Sequence, residues 1–208
     1  KEVPEKEIQL YTLYILLCTG MLGIVITGDV FNLYVFLEIS SLAAYALVAI
    51  GGRNALMASF NYMIMGTVSA CFILLGIGYL YLMTGTLNMA DLSRLLPPIF
   101  GRPAVTIGLI LLVVGLSIKT AFFPLHTWLP DAYTYSPSAI SALLSGTFTK
   151  VGVYVLIRLI YTIFGLQYFL ANIDILIFLG WVASAGIVFG AIMAIAQDDF
   201  KRMLAYSS

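Results

Sequence analysis

Glu38, Lys119 and Lys150 are charged side chains set deep in segments that are otherwise apolar enough to cross a bilayer. A charge at the bilayer centre costs at least ~2.5–3.5 kcal/mol, so such residues face a protein or water-filled interior and commonly mark ion or proton pathways. One carboxylate and two ammonium groups on three different helices can hold and pass protons. Burial disfavours a charged form and an opposite charge restores it, so movement of one partner loads or unloads the other. Glu38 sits in FNLYVFLEISSLAAYALV, where Ser40, Ser41 or a neighbouring helix offers the purely structural alternative of satisfying its carboxyl. Lys119 sits in GLSIKTAFFPLH, one turn before a proline, and competes with a snorkelling reading. Lys150, in SGTFTKVGVYVLIRLIY, is about thirteen residues from either end of its segment, or ~20 Å at 1.5 Å per residue. That is too far to snorkel, so Lys150 is expected to face polar partners or water inside the bundle.

His126 is the only histidine and lies between the two lysines in sequence. Histidine titrates near neutral pH and suits a relay, although a lone one is often structural. With no second histidine and no nearby cysteine, a metal site is not expected. Arg158, two turns beyond Lys150, reads as an interfacial anchor or an auxiliary group. Asp29 and Asp131, at helix ends, read equally as entry points for protons or as turn residues. Ser145 and Thr149, with Ser117, Thr120, Ser141 and Thr147, supply hydroxyls near the lysines that either hold water or bond back to their own helix.

The elements that must position these groups are spanning helices of about 20 apolar residues. The chain is 208 residues long, 62% hydrophobic and 10% charged, where a soluble domain carries about 25% charged residues. Mean hydropathy is +1.04. The fold class expected is an all-α polytopic membrane protein with about six spans. These run near 8–27, 30–50, 55–83, 103–135, 137–164 and 173–196. The fourth is read as discontinuous: Pro124 and Pro130 remove backbone donors and break it near Pro124. Non-helical backbone at membrane depth survives only where protein buries it or it lines a cavity, and broken helices recur at transport sites. TGTLNMADLSRLLPP reads as a short interfacial helix capped by Thr86 or Asn88 and ended by Pro97 and Pro98, with a plain connecting loop as the alternative. Cys18 and Cys71 read as small core hydrophobes.

Zero net charge leaves no basic footprint for nucleic acid. No cysteine cluster, paired haem histidines or nucleotide loop is present, so no cofactor is expected and any electron transfer belongs to partner subunits. No secretory signal is visible, and the abrupt ends suggest a piece of a longer chain. Counting loop charges, Lys1, Lys6, Arg53, Lys201 and Arg202 fall on one side and Arg94, Arg102 and Arg158 on the other. The positive-inside rule then puts the N-terminus in the cytoplasm of a plasma-membrane protein.

IKTAFFPLHTWLPDAYTYSPSAISALLSGTFTKVGVYVLIR resembles the core of the antiporter-like subunits shared by complex I, membrane-bound hydrogenases and Mrp cation/proton antiporters. The family's pattern there is a lysine on a broken helix, a P-x-H-x-W-L-P-D-A loop and a second lysine on the next helix. Lys119, then Pro124, His126, Trp128, Leu129, Pro130, Asp131 and Ala132, then Lys150 match it, and the family's glutamate matches Glu38. DDFKRMLAYSS is similar to the loop before the family's next helix, and GDVFNLYVFLEI looks most like the D-type subunit of Mrp antiporters and its archaeal hydrogenase relatives. The resemblance implies one transmembrane domain over 1–208, with 8–164 as the first five-helix inverted repeat and 173–208 opening the second. It implies proton translocation through Glu38, Lys119, His126 and Lys150 within a large complex of other membrane subunits in the lipid bilayer. The alternatives are a Na+/H+ antiporter subunit, with Glu38 or Asp29 at a cation site, and a structural subunit whose charges are locked pairs. Which complex the chain serves stays open between hydrogenase, complex I-like and Mrp types.

Overall fold

The computed structural model describes residues 7–208. In lipid, every backbone polar group must be satisfied inside the protein, and apolar runs of this length therefore fold as helices. α1 (Glu7–Ile26), α2 (Val30–Ala49) and α3 (Arg53–Thr84) form consecutive antiparallel crossings. Small residues set how closely they approach: a Cβ on Gly20 would lie 2.8 Å from that of Ser40. Asp29 caps α2, its carboxylate accepting from the amides of Phe31 and Asn32 at 2.8 Å each. Asn88 does the same for the short α4 (Met89–Leu95), accepting from Ala90 and Asp91. The two capped turns are stitched together, Val30 donating to the Leu87 carbonyl and Met89 to that of Gly28, both at 2.9 Å. α4 buries Met89 and Leu92 and exposes Asp91 and Arg94, and a 3-10 turn at Pro97–Ile99 ends it.

α5 (Pro103–Lys119) returns against α3. A Cβ on Gly115 would lie 2.9 Å from the Ser69 carbonyl oxygen, and the Ser69 hydroxyl donates to the Gly115 carbonyl at 2.6 Å. Residues 120–128 are non-helical, and α6 (Leu129–Tyr135) completes the crossing. Next comes one continuous helix, Ser138–Phe164. Within it α7 (Ser138–Leu143) and α8 (Thr149–Arg158) are separated by a π-wide turn, Leu144–Phe148, and a second π-wide turn, Leu159–Phe164, ends it. α9 (Leu166–Ala171), α10 (Ile173–Ile195) and α11 (Phe200–Ser207) follow. The chain is an all-α polytopic membrane protein. Five helices are long and apolar enough to cross a bilayer, and α5 with α6 makes the discontinuous sixth crossing.

Several expectations change. The break starts directly after Lys119, several residues before Pro124, because the backbone turns at Ala121, which takes a left-handed φ of 54°. Lys119 is thus the last helical residue of α5 rather than one turn inside it. Cys71 lies on the exposed outer face of α3 and Cys18 is half-buried, so neither is a core residue. α9, α11 and both π-wide turns have no counterpart among the elements expected from sequence. Lys1 and Lys6, which carry the charge asymmetry, lie outside the described residues. The described loop charges divide evenly, Arg53, Lys201 and Arg202 at one end and Arg94, Arg102 and Arg158 at the other.

Candidate functional site

Lys119 is held between two side chains of α2. Its Nζ donates to Glu38 Oε1 at 2.7 Å and to Ser41 Oγ at 2.6 Å. Glu38 and Ser41 are three residues apart and so lie on one face of their helix. The Ser41 hydroxyl donates its own hydrogen bond to the Leu37 carbonyl at 2.6 Å, leaving its oxygen free to accept from the ammonium. The Lys119 side chain is only 3% exposed and that of Glu38 25%, so the anion has a way out of the pair that the cation lacks. At 4 Å and an effective dielectric near 20, a pair of unit charges attracts by ~4 kcal/mol.

The helix stops at Lys119 because the last carbonyls of α5 find other donors. The Leu116 carbonyl accepts from the amide and hydroxyl of Thr120, that of Ser117 from the Phe122 amide, and that of Ile118 from the Ala121 amide. The Ile118 carbonyl also takes the indole N–H of Trp128, across the break, at 3.0 Å. The Trp128 ring stacks on Tyr62 of α3, with centroids 4.2 Å apart and planes 1° from parallel, and Tyr45 meets Tyr62 edge-on. Gly66 makes room for this cluster: a Cβ there would overlap the Tyr45 hydroxyl. A cavity of about water size lies beside Lys119, between Ser41, Tyr45, Trp128 and Phe148.

His126 points elsewhere. Its ring packs on Phe123, on Phe189 of α10 at 5.2 Å and near Tyr206 of α11 at 6.5 Å. Nδ1 is buried without a hydrogen-bond partner among the described residues. Asp131, in the first turn of α6, pairs with Arg202 of α11 at 3.2 Å, both about one-third exposed. Lys201 donates to the Ser136 carbonyl, at the C-terminus of α6, at 2.8 Å. The broken helix is therefore fastened to α2 and α3 on one side and to α11 on the other. Pro130 is buried in the first turn of α6, where its missing donor costs nothing, and Pro124 is exposed in the break.

Lys150 is exposed on the outside of this chain rather than turned into the bundle. The π-wide turn explains how it remains satisfied: Nζ donates to the Ser145 carbonyl inside that turn at 2.6 Å, with Thr149 Oγ1 at 3.3 Å. Ser145 Oγ itself bonds back to Ala142, as intrahelical serines do. Arg158 donates to the Ile24 carbonyl near the end of α1 at 3.2 Å, with its guanidinium near the Tyr154 ring. Asp29 is spent on its cap. The structure thus brings Glu38 and Lys119 into contact and leaves His126 and Lys150 on separate sides. Residue types alone suggest Ser41 only as a structural partner of Glu38, although its spacing of three places it on the same helix face. They mark Lys201 and Arg202 only as loop charges.

The family model described as NADH:quinone oxidoreductase/Mrp antiporter, transmembrane, matches residues 27–208. NADH-quinone oxidoreductase subunit N of Desulforudis audaxviator is 55% identical over 205 residues, covering 99% of this chain and 40% of that protein. The D-type subunit of the Na(+)/H(+) antiporter of Alkalihalophilus pseudofirmus is 36% identical over 197 residues, covering 94% of this chain and 39% of that protein. A chain of the membrane-bound sulfane sulfur reductase, an archaeal respiratory membrane complex, superposes with a TM-score of 0.89 at 36% identity, covering 99% of this chain and 42% of that one. The chain spans about 40% of the length of the curated relatives it matches.

Proposed function

This chain belongs to the NADH:quinone oxidoreductase/Mrp antiporter transmembrane family, and from that premise we propose that it is the proton-loading part of an antiporter-like subunit in a multi-subunit ion-pumping complex. Lys119 is the group that takes up and gives up the proton, and Glu38 is the partner whose position decides which. The observation that carries this reading is the 2.7 Å contact between them at the end of a broken helix. While the pair is closed, the ammonium is stabilised by the carboxylate and by Ser41. When the pair opens, an ammonium in a nearly sealed site loses ~4 kcal/mol of attraction, several times RT, and sheds its proton. Lys150 is the next carrier, and His126 acts where the break meets α10 and α11. Residues 8–164 form the first five-helix repeat and 173–208 open the second, within a single transmembrane domain.

The partners in this reading are other membrane subunits, and the driving force is redox chemistry or cation exchange in them. The membrane is the plasma membrane with the N-terminal end of this segment in the cytoplasm, an orientation supported by Lys1 and Lys6 in the sequence. Lys119→Met, in the full-length subunit reconstituted with its complex, is expected to abolish proton translocation while the complex still assembles. Translocation at the unsubstituted rate would overturn the reading. A second reading, Na+/H+ exchange, is favoured by the 36% identity to a subunit of an Na(+)/H(+) antiporter. Proton efflux from vesicles that requires external Na+ would select it over pure proton pumping.

A further inference from the structure

α6 is fastened at both ends by two adjacent residues of one other helix. In its first turn Asp131 pairs with Arg202 of α11 at 3.2 Å, and at its C-cap the Ser136 carbonyl accepts from Lys201 at 2.8 Å. Both contacts suit the helix dipole, with a carboxylate in the first turn and an ammonium at the C-terminal end. Ala205 of α11 is buried in the same packed cluster as Trp128, Leu129 and Tyr133. α6 has only seven residues, and a helix that short takes its stability and its direction from what it packs on. The residue that opens α6, at its N-cap position, is Trp128. Its indole N–H reaches back across the break to the Ile118 carbonyl at 3.0 Å, while its ring lies flat on Tyr62 of α3. Ile118 is the residue before Lys119, in the last turn of α5. Direct contacts therefore lead from α11 to Glu38: Lys201 and Arg202 hold α6, Trp128 at the head of α6 holds Ile118, and Lys119 beside Ile118 meets Glu38.

We infer that Lys201 and Arg202 are positioning residues for Lys119, acting through α6 as a lever. The inference rests on the reading of Lys119 as the proton carrier, and it adds what holds the Lys119–Glu38 pair closed: the grip of α11 on the short arm of the broken helix. With α6 seated, the indole ties down the last turn of α5 and keeps Lys119 Nζ 2.7 Å from Glu38. That turn needs the tie, because α5 ends at Lys119 and its last carbonyls have no further helical amides to bond. When α11 draws away from α6, Trp128 leaves the Ile118 carbonyl, the turn frays, and Lys119 parts from Glu38. Arg202 Nε is buried without a hydrogen-bond partner among the described residues. Such a donor is costly to leave unspent, so the clasp has a reason to adopt a second arrangement that satisfies it. No proton passes through the clasp; it sets the geometry in which Lys119 exchanges one. A displacement of ~1 Å at a reacting group can cost about a hundredfold in rate, so a slight tilt of α6 is enough.

Lys201→Met keeps the apolar stem of the side chain and removes its donors. In the full-length subunit within its complex, this variant is expected to cut the proton translocation rate about tenfold or more, within what misplacing a reacting group produces. Lys201→Arg, which keeps both charge and donors, should recover most of the rate. Trp128→Phe, which keeps an aromatic face on Tyr62 and deletes the N–H, should slow translocation to a similar extent. The double variant Lys201→Met/Trp128→Phe should be no slower than the slower single one, because both act through the same lever and their effects do not add. A merely structural role would show instead as a lowered melting temperature with an unchanged rate per assembled complex, and that outcome overturns the inference. Lys201→Met at the unsubstituted rate, alongside an inactive Lys119→Met, would overturn the lever and leave the proposed function standing. An active Lys119→Met would overturn the proposed function itself.

Discussion

Lys119 and Lys150 start from the same position in the sequence argument and end in opposite circumstances. Both are lysines in the apolar interior of a spanning segment. Lys119 is sealed and bonded across helices, to a carboxylate and a hydroxyl on α2. Lys150 is exposed on this chain and bonded to its own helix, through a carbonyl that a π-wide turn presents to it. The first arrangement couples two helices, so its charge state and its geometry cannot change independently. The second couples a side chain to its own backbone and leaves the ammonium on an open face. An interior charge therefore announces that a satisfying partner exists without saying whether that partner is another helix or the same one.

The sharpest way to break this contrast is to remove the carboxylate. Glu38→Gln keeps an acceptor oxygen but leaves the sealed Lys119 ammonium without a counter-charge, and breaking a buried pair from one side costs about 3–5 kcal/mol. The melting temperature of the reconstituted protein should fall clearly, and Glu38→Gln with Lys119→Met should recover most of the loss. Lys150→Met, by contrast, removes a group bonded only to its own helix and should shift stability by no more than ~0.5 kcal/mol. Equal losses for Glu38→Gln and Lys150→Met would erase the distinction between the two lysines.

A smaller effect isolates the second partner of Lys119. Ser41→Ala deletes a fully buried hydroxyl that accepts from an ammonium at 2.6 Å. Hydrogen bonds to charged groups are worth about 1.5–3 kcal/mol, so a loss near 2 kcal/mol is expected. The substitution leaves Glu38 in place, so chemical unfolding should show a destabilised protein that still assembles. No change on Ser41→Ala would mean that Glu38 alone holds the lysine.

Much of this was legible from residue types. The bilayer penalises every buried ion and every unpaired backbone group, so apolar length marked the crossings. Interior charge picked out Glu38 and Lys119, and two prolines marked the discontinuous crossing. What was not legible depends on choices the bilayer leaves free. The break opens at Ala121 rather than at Pro124 because Ala121, Phe122 and Trp128 supply donors to the carbonyls of Ser117 and Ile118 in a non-helical pattern, and Trp128 is held there by stacking on Tyr62. The π-wide turn under Lys150 adds no residue type that a periodicity argument would notice, since LSGTF reads as ordinary helix. The roles of Lys201 and Arg202 as clasps of α6 depend on where α11 folds back, which loop charge alone does not encode.

The smallest expected effect comes from the ion pair that most resembles Lys119–Glu38 on paper. Asp131 and Arg202 also join two helices across the broken crossing, but at 3.2 Å and with both side chains about one-third exposed. Pairs in contact with solvent contribute about 0.2–1 kcal/mol and are screened by salt. Asp131→Asn should therefore lower stability by less than ~1 kcal/mol, and raising ionic strength should remove even that difference. The same salt titration should leave the loss on Glu38→Gln unchanged, because ions do not reach a lysine that is 3% exposed. If both losses declined together with salt, Lys119 would be hydrated in the working protein, and the pair would act as a surface contact rather than as a sealed switch.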